Sequence, residues 1–391
     1  ELGGGISHYV WDLDLGPGHF DAVRLHRVVR DRRPYAPART RDAVFTMPGS
    51  PNYWEQIFLP PAYSDAAGWD QSIAIYLAGN GVDVWGIDYG WSLVPAGTGD
   101  LGFMEGWGIQ RDVDLAYEAL EAAQAIRVAT GQGNGRMHVL GFSYGVPVGF
   151  GMAGMETRLP PGRRLIKGLI MADYELLPED PALQAKACTN ASGTESQIAA
   201  GVFGDPGGTA LRTMGFLAET DPDGSSPFLP AFTNLQFALL IGAVNPGSSW
   251  HFVAGEFGAG GVPTGLTYTD EALWVDLMQN TPAIRPLRTV ADLQWARCQT
   301  GVDVSFDDEL GEIRLPILDL DAAGGAGVGS YTASQTATED YRQILVQLLP
   351  DGLAALDFGH ADLFMAANAE PLAWSPLLDW LMERRENRTY P

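Results

Sequence analysis

The run Gly141-Phe142-Ser143-Tyr144-Gly145 follows the apolar stretch Met137-His138-Val139-Leu140 and precedes the helix-compatible Val146-Pro147-Val148. Strand, then Gly-x-Ser-x-Gly, then helix describes a sharp turn on which a side chain at either glycine would strike neighbouring backbone. The serine hydroxyl is left standing over the end of the strand. A hydroxyl becomes a useful nucleophile only when an imidazole takes its proton. Of six histidines, His8, His19 and His26 come before the main run of strands, His138 lies inside the strand that feeds the serine, and His251 sits in an aromatic-rich middle segment. Only His360, in Asp357-Phe358-Gly359-His360-Ala361-Asp362, follows the last expected strand, which makes it the candidate base. The chemistry this pair could do is acyl transfer, with Ser143 attacking a carbonyl carbon.

Such an attack builds negative charge on the carbonyl oxygen, and two backbone N–H groups must already point at it. One candidate is Tyr144, next after the serine. The other comes from the loop Met47-Pro48-Gly49-Ser50-Pro51, where the prolines have no N–H to offer. Ser50 is the choice and Gly49 the reserve.

The elements that must carry these groups alternate between short apolar runs and amphipathic stretches, the pattern of βαβ units in a largely parallel sheet. Strands are predicted at 22–28, 42–46, 83–87, 137–140 and 166–171, with a helix over 112–130. After residue 300 the alternation resumes: a strand at 313–320, a helix at 339–349, a strand at 353–358 and an interrupted helical region over 361–385. Between these parts, residues 176–300 are rich in Gly, Pro and bulky aromatics, and are too long and too apolar for a plain loop. They read as an inserted, mainly helical cap. The expected organisation is therefore a first core part over 1–175, a cap over 176–300 and a second core part over 301–391.

With 391 residues and 46% hydrophobic content, the chain can bury a large core. Its net charge of −24 repels phosphate backbones and anionic headgroups, which argues against nucleic acid and against electrostatic membrane docking. No run approaches the roughly 18 apolar residues that a membrane span needs, so no integral membrane contact is expected. Cys188 and Cys298 fit either one disulfide or two buried thiols. A first residue other than methionine fits a processed extracellular or periplasmic chain, and equally a cytoplasmic one trimmed at its start. Neither a metal-ligand spacing among the acidic residues nor a nucleotide-binding glycine pattern after a strand is evident, and the chemistry calls for no cofactor.

Residues 21–385 resemble the α/β-hydrolase superfamily, and Ser143 with His360 resembles the nucleophile elbow and terminal histidine loop of its lipases and esterases. The resemblance implies a mostly parallel twisted sheet flanked by helices. It implies an esterase or lipase with a Ser-His-Asp triad, acting on a small-molecule or lipid-like ester. Other acyl-transfer chemistry (peptidase, amidase, lactonase or acyltransferase) is the alternative, and a catalytically silent binding protein the third reading. Relatives that open epoxides or haloalkanes use an aspartate where this chain has Ser143. The segments around Trp91 and Trp107 resemble pocket-lining segments, which makes both candidate substrate contacts.

In most relatives the acid follows the strand before the terminal histidine, and here that position holds glycine, in Leu320-Asp321-Ala322-Ala323-Gly324-Gly325. Some lipases take it from the preceding strand. Asp173 stands at the carboxyl end of that strand, where a site on a parallel sheet is assembled, and it is preferred. Asp321 is the alternative acid, because alternation sends Asp319 and Asp321 to one face of their strand, and Glu175 is third. The histidine-glycine pair usual in the oxyanion loop of many relatives is absent.

Overall fold

The computed structural model describes residues 2–18, 20–245, 248–327 and 331–385. Eight strands form one sheet: β1 (Ile6–Asp14), β2 (Ala22–Arg33), β3 (Asp42–Met47), β4 (Val82–Asp88), β5 (Met137–Phe142), β6 (Ile166–Ala172), β7 (Ile317–Ala322) and β8 (Tyr341–Val346). Their spatial order is β1-β2-β4-β3-β5-β6-β7-β8, and a two-residue strand, Ala36–Pro37, pairs with the end of β2. The β1/β2 and β2/β4 pairs are antiparallel. All pairs from β4 to β8 are parallel.

Every residue of β3, β4, β5 and β7 is buried. Strands covered on both faces read as nearly continuous apolar runs, which is why they were legible. Helix α1 (Ile109–Ala129) lays Ala116, Ala119 and Ala123 inward, small enough for close approach to the sheet, and α2 (Gly145–Thr157) follows directly on Ser143. The chain leaves β3 toward β4, then crosses back over β3 to β5. The connections diverge between β3 and β5, and at such a point the carboxyl ends of two parallel strands open a crevice.

Between β6 and β7 lie helices α3 (Pro181–Ala199), α4 (Gly207–Thr220), α5 (Asn234–Ala243), α6 (Glu271–Asn280) and α7 (Leu287–Cys298). A Cys188–Cys298 disulfide ties α3 to α7. No helix among the described residues is long and apolar enough to cross a membrane.

Three predicted elements differ. Residues 341–346 are the edge strand β8 and not a helix; Ile344 and Leu345 on this largely exposed strand, with Leu348 and Leu349 just past its end, mimic helical spacing. Residues 351–356 form a 3₁₀ turn where a strand was expected. The strand expected from 313 begins at Ile317, immediately after Pro316, whose missing N–H cannot join the ladder. An additional strand, β1, pairs along its whole length with β2.

Candidate active site

The turn after β5 is built by close backbone approach. A Cβ on Gly141 would lie 2.1 Å from the Gly145 carbonyl oxygen, and one on Gly145 would lie 2.5 Å from that of Met47. Both positions therefore exclude side chains. Ser143 takes a φ of +53°, a strained region for a residue with a Cβ. The Ser143 N–H donates to the Ala172 carbonyl at 3.0 Å, pinning the turn to the end of β6. Gly49, at the exit of β3, passes so near that a Cβ there would lie 2.8 Å from Ser143 Cβ.

Asp173 follows β6 with a φ of +52° and is fully buried. Its Oδ2 lies 2.6 Å from His360 Nδ1. The same carboxylate accepts the N–H groups of Ala322 at 3.0 Å, Ala326 at 2.9 Å and Gly327 at 3.3 Å. A carboxylate on Nδ1 assigns the hydrogen to that nitrogen and leaves Nε2 as the acceptor. The loop after β7 can wrap the carboxylate because it lacks bulk. A Cβ on Gly325 would fall 2.1 Å from Asp173 Oδ2, and one on Gly327 would fall 2.5 Å from the Asp173 backbone. Glycine at 325 and 327 is thus required by the close approach of the Asp173 carboxylate and backbone.

The other carboxylates stand elsewhere. Asp321, the sequence alternative, turns toward β8, where its Oδ2 accepts Gln343 Nε2 at 2.7 Å. Burial and the neighbouring Asp173 charge push it well above the carboxylate range. Asp319 accepts the Tyr341 hydroxyl at 2.9 Å. Burial also raises the Glu175 carboxyl, and its backbone carbonyl accepts Arg297.

His360 is seated among aromatic rings, with centroids at 4.5 Å for Phe142, 5.3 Å for Trp250 and 6.1 Å for Phe252. Its loop is joined by backbone to the segment after α5. His360 N–H donates to the His251 carbonyl at 3.0 Å and Ala361 N–H to that of Phe252 at 2.6 Å, while His251 N–H donates to Gly324 at 3.0 Å. Buried Asp362 closes the junction by accepting Ala254 N–H and Gly359 N–H at 2.8 Å each and the Thr269 hydroxyl at 2.6 Å. Burial pushes its carboxyl up to about 6. Apart from the local bond from Gly359, these contacts join residues more than 70 positions apart, and nothing local in the sequence announces them.

Ser143, His360 and Ser50 line one cavity of about 60 Å³, whose apolar wall includes Ile57, Phe142, Ile241, Phe252, Trp274 and Leu277. No direct hydrogen bond joins Ser143 to His360 among the described residues, a looseness common before substrate arrives. The Ser50 and Tyr144 N–H groups donate to no backbone carbonyl among the described residues, and Ser50 Oγ is buried without a partner.

Two tryptophans predicted to touch substrate do not reach this cavity. Trp91 is 1% exposed, stacks on Tyr89 at 5.5 Å and donates Nε1 to Asp112 Oδ2 at 3.0 Å. The same oxygen accepts the Tyr144 hydroxyl at 2.7 Å, so Trp91 belongs to the support beneath the serine turn. Burial pushes the Asp112 carboxyl up to about 6. Trp107 packs under the Arg111 guanidinium, 3.8 Å from its ring centroid, and against Phe103. Apolar aromatic residues near a site motif serve the core as readily as a pocket. Among the described residues one group has metal-ligand spacing, His8, His26 and Glu55, and none of the three lines the cavity.

No family model and no curated protein matches the sequence. Solved structures do match the fold. A candidate lipase from Sulfolobus solfataricus is 20% identical with a TM-score of 0.66, covering 97% of this chain and 95% of that one. DcsB, solved in complex with its substrate analogue, is 13% identical with a TM-score of 0.50, covering 97% and 99%. Strand order, the serine turn after β5 and these likenesses agree: the chain has the α/β-hydrolase fold.

Proposed function

We propose that this protein is a serine carboxylic-ester hydrolase, with Ser143 as nucleophile, His360 as general base and Asp173 as the acid that orients it. The observation that carries the reading is the 2.6 Å contact from Asp173 to His360 Nδ1, with Ser143 on the same cavity wall. Acyl transfer needs a histidine held in one tautomer beside an exposed hydroxyl, and the contact supplies the tautomer. His360 Nε2 takes the Ser143 proton as Oγ adds to the ester carbonyl. The oxyanion is received by the N–H groups of Ser50 and Tyr144. The proton then passes from His360 to the departing alkoxide, leaving an acyl-serine. Water, deprotonated by the same nitrogen, adds to the acyl carbon; the bond to Ser143 Oγ breaks, His360 gives the proton to Oγ and the carboxylic acid departs.

The apolar wall favours a lipophilic acyl or alcohol group over a sugar or a charged peptide. The region between β6 and β7 acts as the cap, supplying Ile241, Trp274 and Leu277 from its helices and Phe252 from the segment after α5 to that wall. A fluorophosphonate probe tests the assignment: wild type is labelled and Ser143→Ala is not. Absence of labelling in wild type, or equal labelling of the variant, removes the enzyme reading in favour of a binding protein. p-Nitrophenyl esters are expected to be cleaved in preference to the matching anilide. The reverse preference would make the protein an amidase or peptidase.

A further inference from the structure

Three side chains from three elements converge beside the short helix Trp54–Phe58. His8 on β1, His26 on β2 and Glu55 each offer one ligand atom, all within 4.8 Å of one another. His8 Nε2 and His26 Nδ1 are 3.0 Å apart. Two imidazole nitrogens bound tetrahedrally to one ion at about 2.0–2.1 Å stand about 3.3 Å apart, so little movement separates the two arrangements. The second nitrogen of His26 is already committed, lying 3.2 Å from Asp88 Oδ2. The other oxygen of that carboxylate accepts the Trp54 N–H at 2.6 Å. A ring N–H anchored on a carboxylate, with the remaining nitrogen turned to a shared point, is the outer support that metal-binding histidines use. The Trp54 ring walls the group, its centroid 4.7 Å from His26 and 5.7 Å from His8. Access is from the Glu55 side, whose side chain is 35% exposed against 12% for His8 and 1% for His26.

We propose that His8, His26 and Glu55 bind a divalent transition-metal ion of the zinc class, with water completing four-coordination. Two nitrogen donors select against calcium and magnesium, which prefer oxygen. Before the ion binds, His8 Nε2 donates its hydrogen to His26 Nδ1. On binding, that hydrogen moves to His8 Nδ1, which lies 3.7 Å from Glu55 Oε1, and both facing nitrogens present lone pairs. The ion acts as a brace. It joins β1 to β2 and to the helix that follows the Gly49-Ser50 loop, and it takes no part in acyl transfer.

Titration calorimetry of zinc chloride into the full chain, purified without a polyhistidine tag and treated with chelator, tests the site. One saturable site per chain is expected, with a higher Tm in zinc. Cobalt(II) is expected to give the intense visible absorption of a four-coordinate centre. Glu55→Gln and His8→Asn should each weaken zinc binding at least about tenfold and abolish the cobalt signal. Should His8→Asn fail to fold by circular dichroism, Glu55→Gln at the partly exposed position decides alone. No saturable binding to wild type, or wild-type affinity in a folded Glu55→Gln variant, overturns the proposal.

Discussion

His360 Nδ1 lies 2.6 Å from Asp173 Oδ2, and both oxygens of that carboxylate are also held by N–H groups of the loop after β7. One loop therefore grips a carboxylate delivered by the neighbouring strand.

Asp173→Asn is expected to lower kcat/KM for a p-nitrophenyl ester by about 10³–10⁴-fold, because an amide offers the imidazole the wrong partner. Its NH₂ would also face backbone donors, so a lower Tm should accompany the loss. Asp321→Asn, whose partner is Gln343, should leave turnover nearly unchanged. Steady-state assays of the two variants, with circular dichroism as the folding check, decide between the carboxylates. Comparable losses in both would defeat the assignment.

Gly325→Ala places a methyl group 2.1 Å from Asp173 Oδ2 unless the loop retreats. Retreat breaks the bond from Ala326 N–H and frees the carboxylate to drift from His360. A drop in kcat of about 10²-fold with little change in KM is expected, since a misplaced catalytic group costs roughly that much. A variant with wild-type kcat would show that the loop's grip is dispensable.

Stability should fall as pH rises through the mildly acidic range. Burial holds the Asp319 carboxyl up at about 7 and those of Asp112 and Asp362 at about 6. In the unfolded chain each ionises at about 4. A raised folded pKa contributes stability that is fully present below the unfolded value and is lost as pH rises through the folded one. The window is thus about pH 4 to 7, and the Tm at pH 5 is expected to exceed that at pH 8. Asp319→Asn keeps an acceptor for the Tyr341 hydroxyl without ionising, so it should flatten the slope. Scanning calorimetry across the window checks both, and a Tm that climbs toward pH 8 would contradict the sign.

The cavity beside Ser143 is small, about 60 Å³. Short acyl groups should be the better p-nitrophenyl substrates. Ile241→Ala removes bulk from a partly exposed wall position and should raise the octanoate-to-acetate ratio of kcat/KM by about tenfold or more. An unchanged ratio would place the acyl group elsewhere.

Much of this was legible in the sequence because local constraints are written locally. Gly141 and Gly145 flank Ser143 for steric reasons, and Asp173 ends an apolar run whose strand character is plain. The packing of Trp91 beneath the serine turn was not legible, because an aromatic beside a site motif carries no mark of which way it faces. β8 was misread because Ile344, Leu345, Leu348 and Leu349 satisfy a helical period that an edge strand does not need. The pairing of His8 with His26 depends on β1 lying against β2, a register no single segment specifies. The grip of residues 322–327 on Asp173 is likewise a contact across about 150 residues, visible in sequence only as a puzzling glycine.

The backbone bonds from His251 and Phe252 to the His360 loop bear on how the protein can be re-engineered. Helices placed over a site invite treatment as an exchangeable module, to be swapped for a new specificity. Here the graft boundary would have to leave 251–254 with the sheet, because His360 takes its seat from that segment. A chimera cut at 176 and 300 would discard the histidine's own scaffold, whereas one confined to α3 through α5 would keep it.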